Sequence, residues 1–222
     1  MNNHEIPSIM IQMNVLNAIM LLTAILSLAF RRVRSQISSY AVQSFALTLI
    51  CALMAGATGG AHVYFVAFLT FFIKCVTVPA FLGHISHKIS VTKDTEKFFA
   101  VPTAVIISGL LIIFSHYVML PLTVKLEPLT RGSLNTSISL ILIGLFLMMN
   151  RTFALTQVLG ILIIENGLFL AGIATTHGMP LFVELGIFFD MIVGVILMGV
   201  LTNRISDSFE TLDTNKLNLL KH

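Results

Sequence analysis

The sequence predicts an all-α fold: a polytopic bundle of about seven transmembrane helices, with the N-terminus outside and the C-terminus inside. Three observations carry this. Of 222 residues, 56% are hydrophobic and 10% charged, and the mean hydropathy is +0.95, whereas roughly a quarter of the residues of a soluble domain are charged. Apolar runs of bilayer-spanning length recur from one end of the chain to the other, and in lipid only a helix satisfies its own backbone within such a run. The basic residues gather in alternate connections between the runs.

The first run covers residues 8–30, after a short polar start. Arg31, Arg32 and Arg34 follow it. A cleavable signal peptide carries its positive charge before the apolar run, so a retained helix is expected. The second run, 37–57, ends in the tight-turn sequence Gly56-Ala-Thr-Gly-Gly60. The third, 62–82, has Lys74 in its middle and Pro79 beyond it, and a polar loop with Lys88, Lys93 and Lys97 follows. The fourth run is 99–122, with His116 in its outer third. The connection after it holds Lys125, Glu127, Pro128 and Arg131. The fifth run, 134–149, is short and ends at Arg151. The sixth is 153–175, His177-Gly-Met-Pro180 turns the chain, and the seventh is 181–201.

With seven spans, Arg31, Arg32, Arg34, Lys88, Lys93, Lys97, Arg151, Arg204, Lys216 and Lys221 fall on the inner side. Lys125 and Arg131 fall on the outer side, and Lys74 lies within the membrane. Ten against two is a strong positive-inside bias. The chain divides into a four-helix membrane region (1–133), a three-helix region (134–205) and a cytoplasmic tail (206–222).

Several function classes are excluded. Cys51 and Cys75 both lie in apolar runs, with no CxxC pair and no Cys/His ligand spacing, so they read as small buried residues and no metal centre is expected. There is no phosphate loop, nucleophile elbow or HExxH motif. No cofactor is expected on this chain, and no catalytic residue. The basic residues sit in juxtamembrane loops, which leaves no patch for nucleic acid.

The chemistry rests on charges inside the spans. A carboxylate at mid-bilayer costs on the order of 3 kcal/mol on insertion scales, and it faces a bundle interior or a wet cavity. From Arg151 to Glu165 is fourteen residues, about 21 Å of helix; from Pro180 to Asp190 is ten, about 15 Å. Glu165 and Asp190 therefore both reach mid-depth, on helices expected to be antiparallel neighbours. Gly186, Asp190 and Gly194 share one helix face, where small residues let a second backbone approach. Asn166, beside Glu165, is placed to bond across helices. Lys74 is the countercharge. Pro79 cannot donate to the carbonyl of Cys75, which frees a polar group one residue beyond Lys74 and suggests a local opening for water. Burial disfavours a charged carboxylate and a nearby lysine favours it; a group balanced between the two can take and give protons near neutral pH. Glu165, Asp190 and Lys74 are thus the expected proton-translocating residues, with Glu184 and His116 as candidate members of the path. The plainer alternative is an ion-pair network that only fixes helix packing, with Glu184 a solvated entrance residue and His116 a hydrogen-bonded packing histidine.

The segment from Leu145 through Ile205 resembles the small K-type subunit of respiratory complex I and the C-type subunit of multisubunit sodium/proton antiporters. Arg151 matches the basic turn of those subunits. Gly160-Ile-Leu-Ile-Ile-Glu165-Asn166 matches the segment around their first buried carboxylate, and Asp190-Met-Ile-Val-Gly194 the segment around the second, with Asp in place of Glu. The turn between the two carboxylate helices is shorter than usual in complex I. With four helices preceding this match, and with Ile163-Ile-Glu-Asn-Gly-Leu168 and a downstream Glu184-Leu185 and Phe189-Asp190, the whole resembles the hydrogenase-4 component E family of formate hydrogenlyase-type complexes. The resemblance implies a membrane protein without redox cofactors, in the inner membrane, beside antiporter-like and connecting membrane subunits and peripheral redox subunits. Its function would be proton translocation coupled to electron transfer. A subunit of a cation/proton antiporter, a free-standing ion or solute transporter, and an assembly subunit without transport are the rival readings.

Overall fold

The computed structural model describes residues 5–58, 61–88, 98–123 and 128–176, together with Gly194. The expected seventh span, with Glu184 and Asp190, lies outside the described residues. Within them the chain is almost entirely helical and has no strand: α1 (Glu5–Ala29), α2 (Val33–Thr58), α3 (Ala61–Thr70), a π-helical segment (Phe71–Thr77), α4 (Val78–Lys88), α5 (Val101–Thr123), α6 (Pro128–Asn150) and α7 (Ala154–Thr176). The α3, π and α4 segments follow one another without a break. Six helices among the described residues are long and apolar enough to cross a membrane, against the seven expected for the whole chain.

The boundaries follow local chemistry. The fifth span begins at Pro128, six residues before the expected start. Proline suits a first helical turn because its missing N–H needs no partner there. Arg131 in this stretch stays exposed, but Thr130 and Ser133 are turned inward: Ser133 is buried and accepts a hydrogen bond from Asn17 Nδ2 of α1 at 3.1 Å. The π segment lies where the sequence placed a free carbonyl. Pro79 has no N–H for the ordinary i−4 bond, and the preceding ladder runs in the wider register: Val78 N–H donates to the Ile73 carbonyl, and the Thr77 hydroxyl to the Phe72 carbonyl at 3.0 Å. Single π turns of this kind are often found at functional sites.

Between helices in lipid there is little hydrophobic drive, so close contact depends on small residues and polar bonds. The α6–α7 pair is the most intimate. A Cβ on Gly144 would lie 2.8 Å from the Gly160 carbonyl oxygen, and one on Gly167 would lie 2.8 Å from the Ser137 carbonyl oxygen. The two backbones thus touch at two points seven residues apart on antiparallel helices. Helix α2 packs against α1, α3, the π segment, α4 and α7, which makes it and α7 the most enclosed spans; α5 is the least.

Three segments meet at one end of the bundle, the arginine end. Arg151, in the turn between α6 and α7, is fully buried and donates to the carbonyls of Leu28 and Phe30 at the C-terminus of α1. Counted from the sequence as a loop charge, it is in fact folded inward, where a cation meets the negative end of a helix dipole. Next to it, Asn150 Oδ1 accepts from the backbone N–H of Phe99 at 2.8 Å, and its Nδ2 donates to the Phe99 carbonyl at 3.1 Å.

Candidate functional site

Lys74 sits at the centre of the π segment and Glu165 halfway along α7, each on a helix stretch that could not hold a lone charge in lipid. The structure brings them together: Lys74 Nζ lies 2.8 Å from Glu165 Oε1, and the two side chains are 1% and 3% exposed. Of the two carboxylates expected near Lys74, Glu165 is paired with it, and Asp190 lies outside the described residues. Burial this complete makes pairing obligatory, because an isolated ion withdrawn from water costs several kcal/mol.

Amide and hydroxyl groups extend the pair. Lys74 Nζ also donates to Asn166 Oδ1 at 3.3 Å. The amide nitrogen of Asn166 then donates to Gln43 Oε1 and to Ser44 Oγ, both at 3.2 Å, on the buried face of α2. Gln43 Nε2 reaches the Met20 carbonyl of α1 at 3.2 Å. Phe169, one turn beyond Glu165, sets its ring 5.3 Å from Lys74 Nζ, inside the range at which an aromatic face attracts a cation. Four helical segments thereby meet at one polar point: α1, α2, the π segment and α7. Consecutive residues of α7 divide the work, Glu165 supplying charge and Asn166 tying the lysine to α2.

The other sequence candidates lie elsewhere. His116 is exposed on α5, with Nδ1 3.0 Å from Asn135 Nδ2 of α6, and is not part of the bonded set around Lys74. Cys51 is buried, Cys75 is half-buried with its sulfur 3.8 Å from Thr48 Oγ1, and both are free thiols. Glu184 and Asp190 fall outside the described residues. Among the described residues no cluster of His, Cys, Asp and Glu could hold a metal ion. Sequence reading missed Gln43 and Ser44. Their signal was present: Gln36, Ser39, Gln43, Ser44 and Thr48 recur at helical spacing within an otherwise apolar span.

Fold and site together define a class: a polytopic helical membrane protein with a buried, hydrogen-bonded ion pair at mid-span. Comparison with known proteins narrows this. The chain is 25% identical to hydrogenase-4 component E of Escherichia coli K12 over 208 residues, covering 94% of this chain and 96% of that protein, and matches the same component of Shigella flexneri equally well. The chain is thus a homologue of hydrogenase-4 component E along almost its whole length. It is also 38% identical to an uncharacterized protein of Mycobacterium tuberculosis over 99 residues, which are 44% of this chain and only 45% of that relative. No family model and no solved structure matches it.

Proposed function

We propose that the chain is a non-redox membrane subunit of a hydrogenase-type, energy-coupling complex of the cell inner membrane, and that its Lys74–Glu165 pair takes part in proton translocation. The observation that carries this is the pair itself, 2.8 Å apart and buried at mid-span. The full-length match to hydrogenase-4 component E supports the setting. Redox centres would reside in peripheral subunits, with antiporter-like and connecting subunits alongside in the membrane. The positive-inside bias makes the arginine end cytoplasmic.

The pair suits the task electrostatically. When Glu165 is ionised, Lys74 compensates it. When Glu165 takes up a proton, Lys74 keeps Asn166 Oδ1 and the Phe169 ring as partners, so its charge is not stranded. Protonation of one residue therefore changes the field seen by its neighbours without opening the bundle. Asp190 is proposed as the second titrating residue, in the following span. Glu165→Gln is expected to leave the complex assembled and electron transfer running while proton movement per electron falls at least several-fold. Unchanged coupling in an assembled Glu165→Gln, Asp190→Asn variant would sink the mechanism and leave a packing role.

A further inference from the structure

Along α2 the buried polar groups are distributed unevenly about the ion pair. On the buried face of α2, Gln36, Ser39, Tyr40, Gln43, Ser44 and Thr48 form one stripe at helical spacing. It runs from the arginine end as far as the pair and stops there. Beyond Thr48 the same helix buries Ile50, Cys51, Met54 and Ala55.

A second observation is independent of that stripe. Gln36 Oε1, Ser86 Oγ and Thr156 Oγ1 are buried and make no hydrogen bond among the described residues. They stand on three different helices, α2, α4 and α7, all on the arginine side of the pair. Counted along their helices, Gln36 is about 11 Å from Gln43, Ser86 about 18 Å from Lys74 and Thr156 about 14 Å from Glu165. These three helices pack together there through Val33, Ile37, Leu82, Ile85, Leu155 and Val158. Polar atoms buried in this way are ordinarily satisfied by internal water. Toward the other end of the bundle, Asn17 Oδ1 also lacks a partner among the described residues, but it belongs to the α1–α6 contact and not to this stripe.

We infer that a hydrated path between α2, α4 and α7 connects the arginine end to Lys74 and Glu165, and that the α2 face beyond Thr48 is dry. The pair then exchanges protons with one aqueous side only. Water held by Gln36, Ser86 and Thr156 forms the entrance, and the Ser39, Gln43 and Ser44 side chains carry the wet surface up to Asn166. The path rests on the proton-exchange role proposed above for its purpose, whereas its existence is tested separately.

The test is thiol accessibility in the intact membrane complex, with Cys51 and Cys75 first replaced by alanine. Single cysteines are introduced at Ser39, Ser86 and Thr156 on the path, and at Ile50 and Met54 beyond it. Each is exposed to a small, membrane-impermeant cationic methanethiosulfonate. Only a thiolate reacts, and apolar burial suppresses thiolate, so Ser39→Cys, Ser86→Cys and Thr156→Cys are expected to react at least about tenfold faster than the other two. Equally slow reaction at all five positions overturns the path. In the complex without any substitution, a water-soluble carbodiimide presented at the arginine face is expected to modify Glu165; modification from the opposite face alone also overturns it. A dry path combined with uncoupling by Glu165→Gln would remove this inference and leave the proposed function standing.

Discussion

Helix α7 meets its neighbours on two faces built by opposite means. Toward α6 it presents Gly160 and Gly167, and backbone lies on backbone with Gly144 and Ser137 opposite. Toward α2 and the π segment it presents Glu165 and Asn166, which bond to Lys74, Gln43 and Ser44. The first face leaves no room for a side chain to change position. The second is held by groups whose charge and bonding can change while the helices stay in place. In the proposed role, a rigid contact beside an ionisable one would let a proton alter the local field without loosening the bundle.

The comparison can be broken most forcefully at the polar face. Lys74→Met leaves Glu165 buried beside a thioether, and a loss of about 3–5 kcal/mol is expected, read as thermal unfolding of the detergent-solubilised complex. Adding Glu165→Leu to Lys74→Met should restore much of that loss. A double variant no more stable than Lys74→Met would show that the two residues are not an energetic unit. On the other face, Gly144→Val drives methyl groups into the Gly160 carbonyl and the Ile164 side chain. About 1–3 kcal/mol is expected from such overpacking, with coupling per electron unchanged in whatever complex assembles. At the arginine end, Arg151→Gln removes a buried cation from the carbonyls closing α1. The expected cost is up to about 2 kcal/mol, and Arg151→Lys should recover only part of it because an ammonium is more strongly hydrated than a guanidinium and costlier to bury. The smallest effect belongs to His116→Ala on exposed α5: within about 0.5 kcal/mol in stability, with coupling intact. A clear fall in coupling there would move the proposed proton path toward α5 and away from the face of α7 that meets α2.

Much of this is legible in the residues, for identifiable reasons. Helical spans announce themselves because lipid forbids an unpaired backbone, so length and apolarity suffice. Lys74 and Glu165 stand out because charge in such a run is expensive. Pro79 points to disturbed backbone near Lys74, although not to the form it takes, a π register extending over Phe71–Thr77. Arg151 reads as a loop charge, because nothing local says that the α1 carbonyls lie beside it. Gln43 and Ser44 are easily passed over because a neutral polar residue in a span is cheap enough to be common. Only the helix facing it decides whether it matters.

What the sequence determined alone is the run of long apolar helices, six of them among the described residues, most of their boundaries to within a few residues, and the need to hide Lys74 and Glu165. These are properties of single segments in contact with lipid or water. The pairing of Lys74 with Glu165, the amide bridge through Asn166 to Gln43, and the inward fold of Arg151 each join residues that lie far apart along the chain. Only tertiary structure could decide them. A hidden charge must have a partner, but which partner depends on how the helices turn and cross, and that is settled by the glycine contacts and the π turn acting together.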